Sequence, residues 1–131
     1  MSLDKDTVVI GHLAHRRLAD LYRAADVCLT VPSSDGTSVA LLEAMATGRP
    51  VVATDIPANR EWIVDRRHGV LVPPGDEAAL ADAIAWILDE PVRAKALGDA
   101  ARARVAVDAD ERVTMSQVEQ IYRSAVESST A

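Results

Sequence analysis

VCLTVPSSDGTSVALLEAMATGRPVVAT, residues 27–54, reads as an apolar run, a polar loop, an amphipathic stretch and a second apolar run. Val27 to Val31 and Val51 to Thr54 are short, continuous and rich in β-branched residues. Such runs predict strands covered on both faces, since a strand with one wet face alternates polar and apolar residues. Pro32, Ser33 and Ser34 close the first strand. Val39, Leu42 and Met45 form the inner face of a helix that begins near Ser38, and Gly48 with Pro50 stops it. Strand, helix, strand in that order predicts a parallel unit of α/β type.

The alternation continues outward in both directions. Upstream, Thr7 to Ile10 is a β-branched run ended by Gly11 and reads as a strand. Residues 14–25 carry Leu18, Leu21 and Tyr22 at helical spacing, with Arg16, Arg17, Asp20 and Arg23 on the other side. Downstream, residues 58–64 form a short helix with Trp62 and Ile63 facing inward, and Gly69 to Val72 is a fourth strand ended by Pro73, Pro74 and Gly75. Asp76 is a good N-cap, with Glu77 in the first turn. Leu80, Ile84, Ile87 and Leu88 give the next helix an apolar stripe. Two further helices are expected over 91–106 and 111–126.

Composition narrows the classes of function. The 131 residues suffice for one modest core, and 49% hydrophobic with 26% charged is ordinary for a soluble domain. Aromatics make up 3% and Phe is absent, so Val, Leu, Ile and Ala must build the interior. That favours α/β architecture over an aromatic-rich sandwich. A net charge of −6 argues against a nucleic-acid groove or a basic membrane face. No run approaches the ~18 apolar residues of a membrane span, and no signal peptide is read. The single cysteine permits no disulfide within the chain. A reducing cytoplasm is the expected compartment.

The loop after the second strand holds the densest chemistry. Asp35 and Glu43 stand eight positions apart across Gly36 and the helix that follows. Amides at a helix N-terminus, together with its dipole, accept phosphate whatever the global charge. Carboxylates at either end accept hydrogen bonds from hydroxyls. The combination suits a phosphorylated sugar, and the loop falls at the carboxyl end of a parallel strand, where such sheets bind ligands.

Residues 35–53 also resemble the donor-site signature of group 1 (family 4) retaining glycosyltransferases, Glu-x7-Glu followed by Ala-Met-Ala-x-Gly-x-Pro-Val-Val, with Asp35 in place of the first Glu. The segment Leu18 to Val27 is similar to the family's lead into that loop, and Gly69 to Asp76 with Leu80 to Ile84 to the segment after it. This resemblance implies a partial Rossmann-like parallel sheet covered by helices, the later part of the C-terminal domain of a GT-B enzyme. Residues 1–131 would then be a partial donor-binding domain, lacking the acceptor domain and the first part of the donor domain.

By the same resemblance, Asp35, Gly36 and Thr37 bind the donor sugar. Backbone amides of Ser38 and Val39 take the diphosphate, and Glu43 takes the ribose. The ligand would be a nucleotide-sugar donor, with the acceptor unknown, no metal or other cofactor, and peripheral membrane association open to the parent enzyme. Two departures bear on the sugar: Asp35 is one methylene shorter than Glu, and Thr37 stands where the family often has Phe. The basic pair that steadies the leaving diphosphate is expected upstream of this segment, so no catalytic residue is assigned and the isolated chain is expected to be inactive. The alternative is a non-catalytic nucleotide-sugar-binding or scaffold module on the same fold. Strand 7–10 would lack its central neighbours, so re-pairing beside strand 27–31 or self-association through that edge is expected.

The remaining candidates read as structural. Cys28 lies in a buried run, where packing outweighs nucleophilic use. His12, His15 and His68 share no metal-ligand spacing and read as surface or loop residues. Arg60 and Glu61 suggest a structural ion pair, Trp62 and Trp86 packing, and Arg102 to Arg104 a solvated helix face.

Overall fold

The computed structural model describes residues 5–11, 13–33 and 39–111, with His15 and residues 108–111 described by backbone alone. Three strands form one parallel sheet in the order β1 (Cys28–Thr30), β2 (Val51–Thr54), β3 (Val70–Val72). Cys28 lies opposite Val51, and Val52 opposite Val70. Helix α1 (His15–Ala24) precedes the sheet. Helix α2 (Val39–Ala46) links β1 to β2, the short α3 (Pro57–Arg60) follows β2, and α4 (Glu77–Asp89) and α5 (Pro91–Glu111) follow β3.

Residues alternate across β2, and this divides the core in two. Val51 and Ala53 face one layer with Cys28, Leu41, Leu42, Met45, Trp62, Ile63, Ala101 and Val105. Val52 faces the other with Val70, Val72, Ala83, Ile87, Ala94 and Leu97. Every residue of β2 is buried, as a central parallel strand requires. Helix α5 contributes to both layers, Ala94 and Leu97 to one and Ala101 and Val105 to the other. It crosses the turn between α2 and β2, where Gly98 lies against Gly48.

Helix α2 ends where the sequence predicts. Gly48 adopts φ +77, and its N–H donates to the Met45 carbonyl at 3.1 Å. A left-handed residue is cheapest without a Cβ. Asp76 caps α4 as expected, its carboxylate accepting from the Ala79 N–H at 2.9 Å. Trp62 and Ile63 are buried although α3 ends at Arg60, because the turn that continues from it carries them inward.

Four expectations change. Among the described residues, 7–10 join no strand and expose Val8 by 81% and Val9 by 92%, and β1 pairs with β2 alone. Re-pairing beside β1 within the chain is therefore corrected. A four-residue run gains too little from one edge ladder to offset its ordering. Helix α5 runs unbroken from Pro91 to Glu111, past the break expected after residue 106; no Gly or Pro intervenes to end it. The rest of the helix expected over 111–126 lies outside the described residues. Leu88 is 54% exposed and Ala83 takes its place inside, since α4 presents a narrower face to the sheet.

His68 is the fourth. It is buried rather than superficial, and its Nδ1 accepts from the Val64 N–H at 3.0 Å. Desolvation, and then the charges of Arg67 and Arg104, hold its pKa below the ordinary 6.5. An imidazole accepting at Nδ1 is neutral. The unfolded chain therefore binds the proton more readily than the folded one. The stabilisation from a neutral His68 is full above the unfolded pKa and is lost as pH falls toward the folded value. The urea midpoint should drop between about pH 8 and pH 5, and His68→Gln should flatten that dependence. An equally steep fall in the variant would assign the effect to other groups.

Candidate functional site

A helix that joins two parallel neighbours must run back against them, so its N-terminus lies at their carboxyl ends. Helix α2 does this. It packs on β1 and β2, and its described part opens at Val39 beyond the carboxyl end of β1. Val39 is half-buried, and Glu43, one turn on, is also half-buried rather than turned into the core. Their apolar neighbours Leu41, Leu42 and Met45 are 0–2% exposed and fix the roll of the helix. Asp35, Gly36, Thr37 and Ser38 lie outside the described residues.

The carboxyl pole of the sheet is organised by two residues that sequence reading passed over. Thr54, the last residue of β2, is buried, and its Oγ1 donates to the Pro32 carbonyl at 2.6 Å. That bond ties the chain leaving β1 to the end of β2. Asn59, also buried, donates from Nδ2 to the Thr54 carbonyl at 2.9 Å. The signal for Asn59 was a polar residue two positions past Pro57, in a segment otherwise read for its apolar face. Together these bonds set where the polypeptide departs toward residue 35. The Asn59 Oδ1 is buried with no partner among the described residues.

Beside this clamp, a cavity of about 150 Å³ opens between Val31, Thr54, Val72, Pro73, Asp76 and Leu80. Its lining holds two acids, Asp76 and Glu77, and no cation. Arg60, close by on α3, is engaged with Asp55. The expected ion pair is therefore present, with Asp55 as partner rather than Glu61. Both side chains are substantially exposed, so its contribution to stability is small. A pole with acceptors in excess of cations is suited to receiving hydroxyl groups, while anionic groups would rely on oriented amides.

Of the other candidates, Cys28, Trp62, Trp86 and Arg104 have structural settings, while His12 and the His15 side chain lie outside the described residues. Burial raises the Cys28 thiol above its usual value, against a weaker pull from Arg49, so the thiolate is disfavoured. Trp62 is buried in the first layer, and Trp86 is half-buried under Arg66. Arg104 is not merely solvated: it donates to the Glu61 carbonyl at 2.9 Å and ties α5 to the turn after α3. Among the described residues, no group of three or more His, Cys, Asp or Glu side chains could hold a metal ion. No helix among them is long and apolar enough to cross a membrane.

Comparison with known proteins bears on the family and the fold. Residues 2–90 match the model of a family described as glycosyl transferases group 1. A glycogen synthase of Mycobacterium tuberculosis is 33% identical over 119 residues, which is 91% of this chain and 29% of that protein. A phosphatidyl-myo-inositol mannosyltransferase of Mycobacterium leprae is 38% identical over 117 residues, 87% of this chain and 29% of that protein. The solved sucrose-phosphate synthase of Thermosynechococcus elongatus superposes with a TM-score of 0.71 at 33% identity, covering 91% of this chain and 30% of its own. The chain thus spans about three-tenths of the length of the curated relatives it matches.

Proposed function

We propose, from the premise that this chain belongs to the group 1 glycosyl transferases, that it forms the donor side of an enzyme that moves a glycosyl unit, with retention, from a nucleotide-sugar to an acceptor. Asp35, Gly36 and Thr37 meet the donor sugar. The amides of Ser38 and Val39 receive the diphosphate, and Glu43 holds the ribose. The observation that carries this reading is the position of α2, whose described part opens at Val39 beyond the carboxyl end of β1 with Glu43 half-buried one turn on. A carboxylate there offers two acceptor oxygens, enough for a vicinal diol, and charge-assisted bonds of that kind are the stronger ones.

The relatives support a donor role more than an acceptor role. By name they are a glycogen synthase, a phosphatidyl-myo-inositol mannosyltransferase and a sucrose-phosphate synthase, yet each shares this same segment. What is common to them is the better candidate for the chemistry of the segment they share. Catalysis needs cations at the departing diphosphate. Among the described residues the lining of the cavity beside the Thr54–Pro32 clamp holds no cation, so in this reading the leaving diphosphate takes its cations from outside that lining.

Calorimetry with UDP, GDP and ADP and their sugars tests the proposal. One nucleotide should bind measurably, and Glu43→Ala should weaken it by about 1–3 kcal/mol, the cost of a lost charged hydrogen-bond partner. Inorganic phosphate affinity should be unaffected, because phosphate has no diol to offer. Unchanged nucleotide affinity in the variant would remove Glu43 from the ribose site.

A further inference from the structure

At the pole of the sheet opposite α2's N-terminus, a cleft of about 540 Å³ is lined by Arg66, Arg67, Trp86, Arg93, Ala96 and Leu97. The two neighbouring arginines sit in the turn that precedes β3, and the third sits in the first turn of α5. We propose that this cleft is a binding site for a soluble phosphate ester or diphosphate, separate from the donor crevice and independent of the reading given for it.

Three observations carry the inference. Among the described residues the lining holds three guanidinium groups and no acid, although the chain as a whole is acidic with a net charge of −6. Like charges gathered without counter-charge raise the local potential and draw anions. Second, Arg67 and Arg93 make no ion pair or side-chain hydrogen bond among the described residues, whereas Arg23, Arg60 and Lys95 each have a carboxylate partner. Their forks are thus available for bidentate contact with phosphate oxygens.

Third, the turn is held in a conformation that an ordinary residue avoids. Arg66 has φ +66, and its N–H donates to the Gly69 carbonyl at 2.7 Å. This left-handed residue lays its guanidinium over the Trp86 ring, 4.5 Å from the centroid. The aromatic contact orients one cation, and the buried Leu97 forms apolar floor beside it. Three guanidinium groups around an apolar floor can converge on one small soluble anion.

The test is titration of the 131-residue chain with inorganic pyrophosphate at low salt, read by calorimetry and by tryptophan fluorescence. Saturable binding is expected, weakened about tenfold or more in Arg67→Ala/Arg93→Ala. Arg67→Lys/Arg93→Lys keeps the charge without the fork and should fall between. Arg16→Ala/Arg17→Ala removes the same charge from exposed positions on α1 and should leave affinity unchanged. Circular dichroism confirms that each variant is folded, and the lysine pair serves if the alanine pair is not. Absence of saturation, or equal affinity in the Arg67/Arg93 variants and the original, overturns the proposal. Sedimentation with phosphatidylcholine–phosphatidylglycerol vesicles separates the two sources of phosphate. Vesicle binding that depends on Arg67 and Arg93 without pyrophosphate binding would also overturn it, in favour of a lipid headgroup.

Discussion

Gly98→Ala is expected to destabilise the chain by about 3 kcal/mol, the upper end of what overpacking costs. A Cβ built at Gly98 would stand 2.1 Å from the Gly48 carbonyl oxygen and 2.9 Å from its carbon. Neither is a side-chain end that could swing away; both belong to the turn that stops α2. Intrinsic propensity pulls the other way, since Gly→Ala in a helix interior ordinarily gains about 1 kcal/mol. The steric term wins because α5 can relieve it only by moving off the first core layer, which it fills with Ala101 and Val105. Domains of this size are stable by roughly 5–15 kcal/mol, so the loss should be plain as a lower urea midpoint. Equal or greater stability would mean that α5 does not cross the Gly48 turn this closely.

Leu41→Ala should cost about 2–5 kcal/mol, the range for truncating a fully buried leucine. Leu41 is 0% exposed and sits with Leu42 and Met45 in the layer between α2, β2 and α5. Its neighbours are held from several elements, so they have little freedom to collapse into the space left behind. Leu41→Met, which roughly conserves volume, should cost less than about 1.5 kcal/mol. If both variants lose the same amount, shape rather than cavity formation governs the site. Because Leu41 fixes the roll of α2, the alanine variant also tests whether the seat of Glu43 depends on core packing. Nucleotide affinity should fall with stability in Leu41→Ala and hold in Leu41→Met.

Much of the fold could be read directly from residue order. The strands at 28–30, 51–54 and 70–72 fall inside the predicted runs, because a continuous β-branched run has few other stable homes. Helix α2 stops at Gly48 and α4 starts after Asp76, since caps depend on one residue and its immediate neighbours. Strand 7–10 failed for the opposite reason. Its composition is right, but a strand exists only through a partner, and among the described residues it has none. Of the six residues proposed for the donor site, Val39 and Glu43 lie in the described part of α2; the other four lie outside the described residues.

Local chemistry was therefore enough for the α/β class, the parallel strands, the stop of α2, the cap of α4 and the family likeness, all of which depend on residues close together in the chain. Contacts between distant residues were not available that way. Thr54 reaching Pro32, Arg104 reaching Glu61, Gly98 lying under Gly48 and two arginines before β3 meeting a third on α5 join positions 22 to 50 residues apart. Such pairs are selected by how helices and sheet pack in three dimensions, and no periodicity along the chain encodes them.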